Sequence, residues 1–398
     1  MDWEQKRTDQ NLTAFYEGSG LFAKIIDTPS EECFRCGCKI LGNVPNDGIE
    51  NAVDLLDWLQ WDDTATAAVK WARLYGGSII VMLINDGGNL EEPLKLEKVC
   101  SVDGLKVYDR SIVRPCPAGS DGSSGPMPEH YQVFSRNGTF TVHASRCLIF
   151  RNGGELTETS VNRQLWPWGI PEAYRIAEAL QNTEVAHGSA VRLLEKAIQP
   201  VHKIHGLAQM LETPEGEERV RRQIEISDFS RGLWGTIAID RDDDFSFHGE
   251  IPEGIGKLVR LSGRMLSAVT GIPEVILWGR LDYEKPGQLL RKKDNVSMEN
   301  WYSFVGRIQT GMVKNSLWRL LSIIFQAEVN SGNLPRLPKF DIEFLPLWSA
   351  DDLEMADIQL AKAKQRLDEA KTAEMYVKMG SLKPSEIRKG LFRKSRRR

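Results

Sequence analysis

The sequence predicts an α+β fold, and three observations carry that prediction. A helical run through Trp71 meets Gly76 and Gly77 and passes into an apolar run, Ile79 to Ile84, that stops at Asn85-Asp86-Gly87-Gly88. Glycine permits the left-handed backbone that ends a helix, and a short β-branched run bounded by turn residues is a buried strand. Short alternating segments separated by turns then fill Lys95 to Phe150, and long 3,4-spaced apolar patterns occupy 297–325 and 351–379.

The composition sets wide bounds. A chain of 398 residues is too long for one core and should divide into two or three modules. Hydrophobic content of 41% with 27% charge is ordinary for a globular protein. No apolar stretch approaches the roughly 20 residues that span a bilayer, and the start has no apolar signal region. A soluble protein, intracellular at synthesis and without membrane contact, is expected. The net charge of −4 argues against tight, static nucleic-acid binding, which relies on neutralising phosphates. The end, from Arg388 to Arg398, carries no acid. It reads as a solvated tail, or alternatively as one that faces DNA or a scaffold.

In chain order, a helical stretch is predicted from about Ala52 to Tyr75, feeding the buried strand. Strands follow at Leu105 to Tyr108, Tyr131 to Phe134, Thr139 to Val142 and Cys147 to Phe150, with Asn137-Gly138 as one turn; this block reads as one antiparallel subdomain. Pro171 opens a helix towards Ala197, and Glu215 to Arg222 is helical. Gly235 to Ile239 and Phe245 to Phe247 read as a hairpin across an acidic run that lacks the glycine and glutamate of a calcium loop. A helix from about Gly254 to Thr270 stops at Gly271-Ile-Pro273. Between Ser297 and Phe325 the positions Trp301, Val305, Ile308, Met312, Leu320 and Ile323 share a face. Phe340 to Leu345 alternates like a strand. Leu353, Ala356, Leu360, Ala363, Leu367, Ala370 and Val377 then trace a narrow seam.

Little of this is catalytic in pattern. Phosphate-loop, nucleophile-elbow, zinc-protease and dinucleotide signatures are missing, and no cofactor or metal is expected. Cys33, Cys36 and Cys38 lack the fourth ligand of a structural zinc site, which favours free thiols. His202 and His205 have no acid or cysteine nearby and read as surface or packing residues.

Three elements in order resemble phage portal proteins: Arg73 to the buried strand; Thr270-Gly-Ile-Pro273 with Leu277-Trp-Gly279 and a long helix through Gln309; and Phe340 to Trp348, an acid-rich helix, and Gly380 to Arg388. The chain departs from relatives at 280–287, where Arg280-Leu-Asp-Tyr replaces a Gly-rich stretch. The resemblance implies a portal-type subunit with a mixed α/β wing, two long stem helices and a small α/β clip insert. The wing would span 1–296 with a β-rich part at about 95–150, the stem helices 297–325 and 351–379, the clip 326–350, and a tunnel or crown end 380–398.

It also implies a function. The expected role is a non-enzymatic ring subunit of a bacteriophage head–tail connector, a homo-oligomer (a dodecamer) at the capsid vertex of the virion, assembled in the host cytoplasm. DNA packaging and genome ejection would pass double-stranded DNA through its channel. The expected partners are the terminase large subunit, capsid and scaffold proteins, and adaptor or tail proteins. Asn333, Arg336 and Lys339 are the candidate clip docking residues; Lys378, Lys383 and Arg388 are the candidate channel residues. Some members of this group continue into a C-terminal nuclease-like domain that counters host defence, and this chain is expected to end before one. The alternatives are a nucleotide-directed phosphodiesterase, which would need a His/Asp constellation not seen in the sequence, or a cytosolic helical adaptor.

Overall fold

A computed structural model describes residues 9–116, 128–136, 138–153, 167–197, 199–203, 207–229, 244–248, 254–279 and 292–347. The chain divides into two compact units, Met1–Glu343 and Phe344–Arg398. Nearly all described residues belong to the first.

The architecture is mixed α/β, a set of packed helices with small sheets. Helices α1 (Asp9–Gly18) and α2 (Gly20–Glu32) lead to strand β1 (Cys38–Gly42), then α3 (Asn46–Trp58) and α4 (Trp61–Tyr75). The single helix expected over 52–75 is therefore two. The break falls at Gln60, whose φ of 51° makes it the one non-glycine residue with left-handed backbone among those described. The kink turns Trp58 outward, 66% exposed, and Trp61 inward, 4% exposed.

Strand β2 (Gly77–Asn85) is the centre of the unit. It pairs antiparallel with β3 (Ser101–Asp109) on one side and β7 (Cys147–Arg151) on the other. A second antiparallel sheet runs β4 (Val113–Cys116), β5 (His130–Ser135), β6 (Gly138–His143). The segment 95–150 is thus shared between two sheets rather than forming one subdomain. Side chains alternate across a strand, so β2 presents two faces. Ile79 and Val81 meet Val113, Tyr131, Val133 and Val142 of the second sheet, with Cys147 and Trp168. The other face packs on α4, where the Ser78 hydroxyl donates to Ala68 O at 2.6 Å. Burial on both sides is why the run is continuously apolar.

The glycine pair has a steric reason. Gly76 caps α4 with φ 91°, and a Cβ there would overlap Gly169 O; a Cβ on Gly77 would overlap the Trp168 ring. Asn152 N and Gly169 N both donate to Gly76 O, at 3.1 and 2.9 Å.

Beyond it come α5 (Glu172–Ala197), β8 (Gln199–Lys203), α6 (Leu207–Met210), α7 (Pro214–Phe229), β9 (Asp244–His248), α8 (Ile255–Thr270) and α9 (Glu274–Leu277). β9 pairs with β8. Of the expected hairpin, the second strand is present as β9, paired with β8 some forty residues upstream, while 235–239 lie outside the described residues.

The helix expected over 297–325 is longer and interrupted. α10 (Lys292–Ile308) passes through a π turn, Gln309–Val313, into α11 (Lys314–Asn330). Val305, Val313, Leu317, Leu320, Leu321, Ile324 and Phe325 are buried, which makes this a core helix of the first unit. β10 (Phe340–Phe344) pairs with β1. The second seam, 351–379, lies outside the described residues.

Candidate functional site

The β5–β6 hairpin ends on two histidines. Ser135 faces Gly138, and the same register brings His130 opposite His143. Their ring centroids lie 4.9 Å apart at 87°. Among the described residues this is the arrangement best suited to moving protons near neutral pH.

Hydrogen bonds assign each ring a proton state. Ser145 N donates to His143 Nδ1 at 3.1 Å, so that nitrogen must offer a lone pair. Ser145 Oγ lies 2.8 Å from the same atom and accepts Leu94 N at 2.7 Å, leaving its own proton for His143. His143 is therefore neutral, with its proton on Nε2. Burial holds its pKa below the usual histidine value, and His130, Arg146 and Arg319 push it the same way against Glu129. His130 Nε2 lies 3.1 Å from Glu91 O, a carbonyl that can only accept, so Nε2 donates there.

Buried ionic contacts fix the surroundings. Arg146, in the short 3-10 turn Ala144–Arg146, donates to Asp86 Oδ2 at 2.7 Å and to Glu92 O at 2.8 Å. Asp86 also accepts Gly88 N and Lys95 N, each at 3.1 Å. Burial would raise the Asp86 pKa, but Arg146 and these amides outweigh it and leave the carboxyl below its usual value. From α11, Arg319 donates to Ser145 O at 2.8 Å.

Clefts among the described residues include two. An apolar groove of about 590 Å³ between α5 and α8 is lined by residues including Val185, Leu193, Leu258 and Met265. A smaller one, about 450 Å³, lies between α2 and α4 beside Glu31, Asp62 and Asp63. No group of three metal-ligating side chains occurs among the described residues. Cys33, Cys36 and Cys38 are free thiols. Burial raises the Cys33 pKa to about 12, and its Sγ donates to Pro29 O.

The residues singled out from sequence lie elsewhere. Asn333, Arg336 and Lys339 are exposed on the connection between α11 and β10. Asn333 N caps α11 through Glu328 O at 2.9 Å, and Lys339 O accepts Asn43 N at 3.0 Å. Lys378, Lys383 and Arg388 lie outside the described residues, and His202 is a β8 position. The histidine pair was overlooked although its signal was present. Zipping the strands 131–134 and 139–142 outward from their turn sets 130 against 143.

A model of the phage portal protein family matches residues 10–366. The match covers most of the chain, which belongs to that family and has its general mixed α/β fold. Two curated relatives are both named anti-CBASS protein Acb1. That of Caulobacter sp. (strain RHG1) is 24% identical over 371 residues, 88% of this chain and 57% of the relative. That of Sphingomonas paeninsulae is 22% identical over 242 residues, 58% and 37% respectively. The chain spans about half the length of these relatives or less. Among solved structures, the neck of a native gene transfer agent particle, computed with C12 symmetry, matches at 14% identity and TM-score 0.49, covering 94% of this chain and 91% of that one. An HK97 family phage portal protein from Corynebacterium diphtheriae matches at 10% and 0.37, covering 82% and 93%.

The two curated relatives correct the functional expectations. A working portal protein, a non-enzymatic conduit for DNA packaging and ejection, and a place at the virion vertex were all inferred from the resemblance. Relatives named for opposing CBASS, aligned along most of the chain, overturn that inference. The motifs identified the family and its fold; they carried no information on the role to which the fold is put.

Proposed function

We propose that this member of the phage portal protein family acts against a nucleotide, as a phosphodiesterase in the host cytoplasm. The observation that carries the reading is the alignment of 88% of the chain with an anti-CBASS protein. Phosphodiester cleavage needs a base to take a proton from the attacking hydroxyl and an acid to protonate the leaving oxygen. The His130–His143 pair, with ring centroids 4.9 Å apart, offers two imidazoles for these roles. Because the chain spans only part of its relatives, the activity is assigned to the whole protein.

The test is direct. The purified protein, offered linear and cyclic di- and trinucleotides, should open a phosphodiester bond in at least one. His130→Ala and His143→Ala should each lower that turnover by roughly 10²–10⁴-fold. Absence of turnover across the panel overturns the reading, and turnover indifferent to both variants moves the chemistry off this pair.

The reading includes self-association. Val185, Val191, Leu193, Leu258, Leu261 and Met265 are exposed on α5 and α8, an apolar surface that contact between copies would cover. Sedimentation of the pure protein should show a species larger than the monomer; a monomer at micromolar concentration removes this part of the proposal.

A further inference from the structure

His143 holds more than its neighbour. Its Nδ1 accepts Ser145 N, and Ser145 Oγ accepts Leu94 N from the loop after β2. The carbonyls of the same short turn receive Arg319 from α11: Ser145 O at 2.8 Å and Ala144 O at 3.5 Å. His143 N donates to Leu90 O at 2.9 Å, which brings the loop to the strand a second time. Three parts distant in sequence, the β5–β6 hairpin, the 90–94 loop and α11, therefore meet at one capped turn.

We propose that His143 is a pH-sensitive latch, which closes this junction as a neutral imidazole and releases it on taking a proton at Nδ1. The chemistry is asymmetric. Once Nδ1 carries hydrogen it can only donate. The Ser145 hydroxyl can rotate and accept instead, but the Ser145 backbone N–H cannot reverse, and two donors then face each other. The charged groups around the ring oppose protonation from most sides: His130 on the same hairpin, Arg146 in the turn and Arg319 on α11, with Glu129 alone favouring it. Burial is the largest of these effects and His130 the next, ahead of Arg146 and Arg319.

The sign follows from linkage. A histidine whose folded pKa lies below its unfolded value contributes stability that is complete above the unfolded value, near 6.5, and is lost as pH falls through the folded one. Release therefore belongs to the acid side of the ordinary histidine value. The latch is read out without substrate, so its failure is distinguishable from failure of the nucleotide reading.

Nitrogen NMR of the full chain at about pH 8 should show His143 neutral with the proton on Nε2. Hydrogen-exchange protection of the Ser145 amide should then fall about tenfold or more between about pH 8 and pH 5. His143→Asn keeps a cap acceptor that does not titrate, and should abolish this fall while retaining protection at both values. His130→Asn removes a neighbour that opposes protonation of His143 and should move the midpoint upward. An imidazolium or an Nδ1–H tautomer at about pH 8 overturns the proposal, as does the same acid loss in His143→Asn.

Discussion

Asp86 and Arg146 show how a turn signal becomes a structural anchor. Asn85-Asp86-Gly87-Gly88 reads as a turn, and it is one, yet Asp86 is 3% exposed and Arg146 fully buried. Their ion pair joins the end of β2 to the turn before β7. Removing one partner strands the other charge without water, so Arg146→Met should destabilise the protein by about 3–5 kcal/mol in denaturant titration. Replacing both by apolar residues should cost less. Because the folded Asp86 pKa is lowered, its contribution is present above about pH 4 and lost as pH falls through the folded value. Arg146→Met should therefore flatten the acid limb of the stability curve; an unchanged limb assigns it to other carboxylates.

Elements were legible where one periodicity ruled a whole segment. The buried strand, the 171–197 helix and the stop at Gly271 could be read directly, because burial on one face or both imprints itself on spacing. Gly77 was legible as a helix breaker, but its reason is tertiary: the Trp168 ring occupies the space a Cβ would need. Gly77→Ala should cost about 1–3 kcal/mol of stability, the range for overpacking a filled core, and Trp168→Leu in the same chain should recover part of it. The break at Gln60 was not legible. Nothing local favours left-handed backbone at a glutamine, and the burial of Trp61 against the exposure of Trp58 imposes it. The π turn at Gln309 is similar: its side chain donates to Cys33 O at 2.8 Å, a contact across 276 positions that no window contains. Gln309→Leu leaves that carbonyl without its donor and should lower stability by about 1–3 kcal/mol.

For the whole molecule, order along the chain identified the family, since three weak elements in sequence form one specific pattern. The role did not follow from it, because a fold hosts many functions and the names of relatives aligned over most of the chain point away from packaging. Nucleotide turnover and sedimentation decide the reading at this scale. By itself, the sequence determined the α+β class, the doubly buried strand and the family, all of which depend on hydrophobic period and on glycines at fixed places. Tertiary structure alone decided which strands share a sheet and where the long helices break. Those outcomes depend on contacts between segments far apart in the chain, where packing energy outweighs local preference.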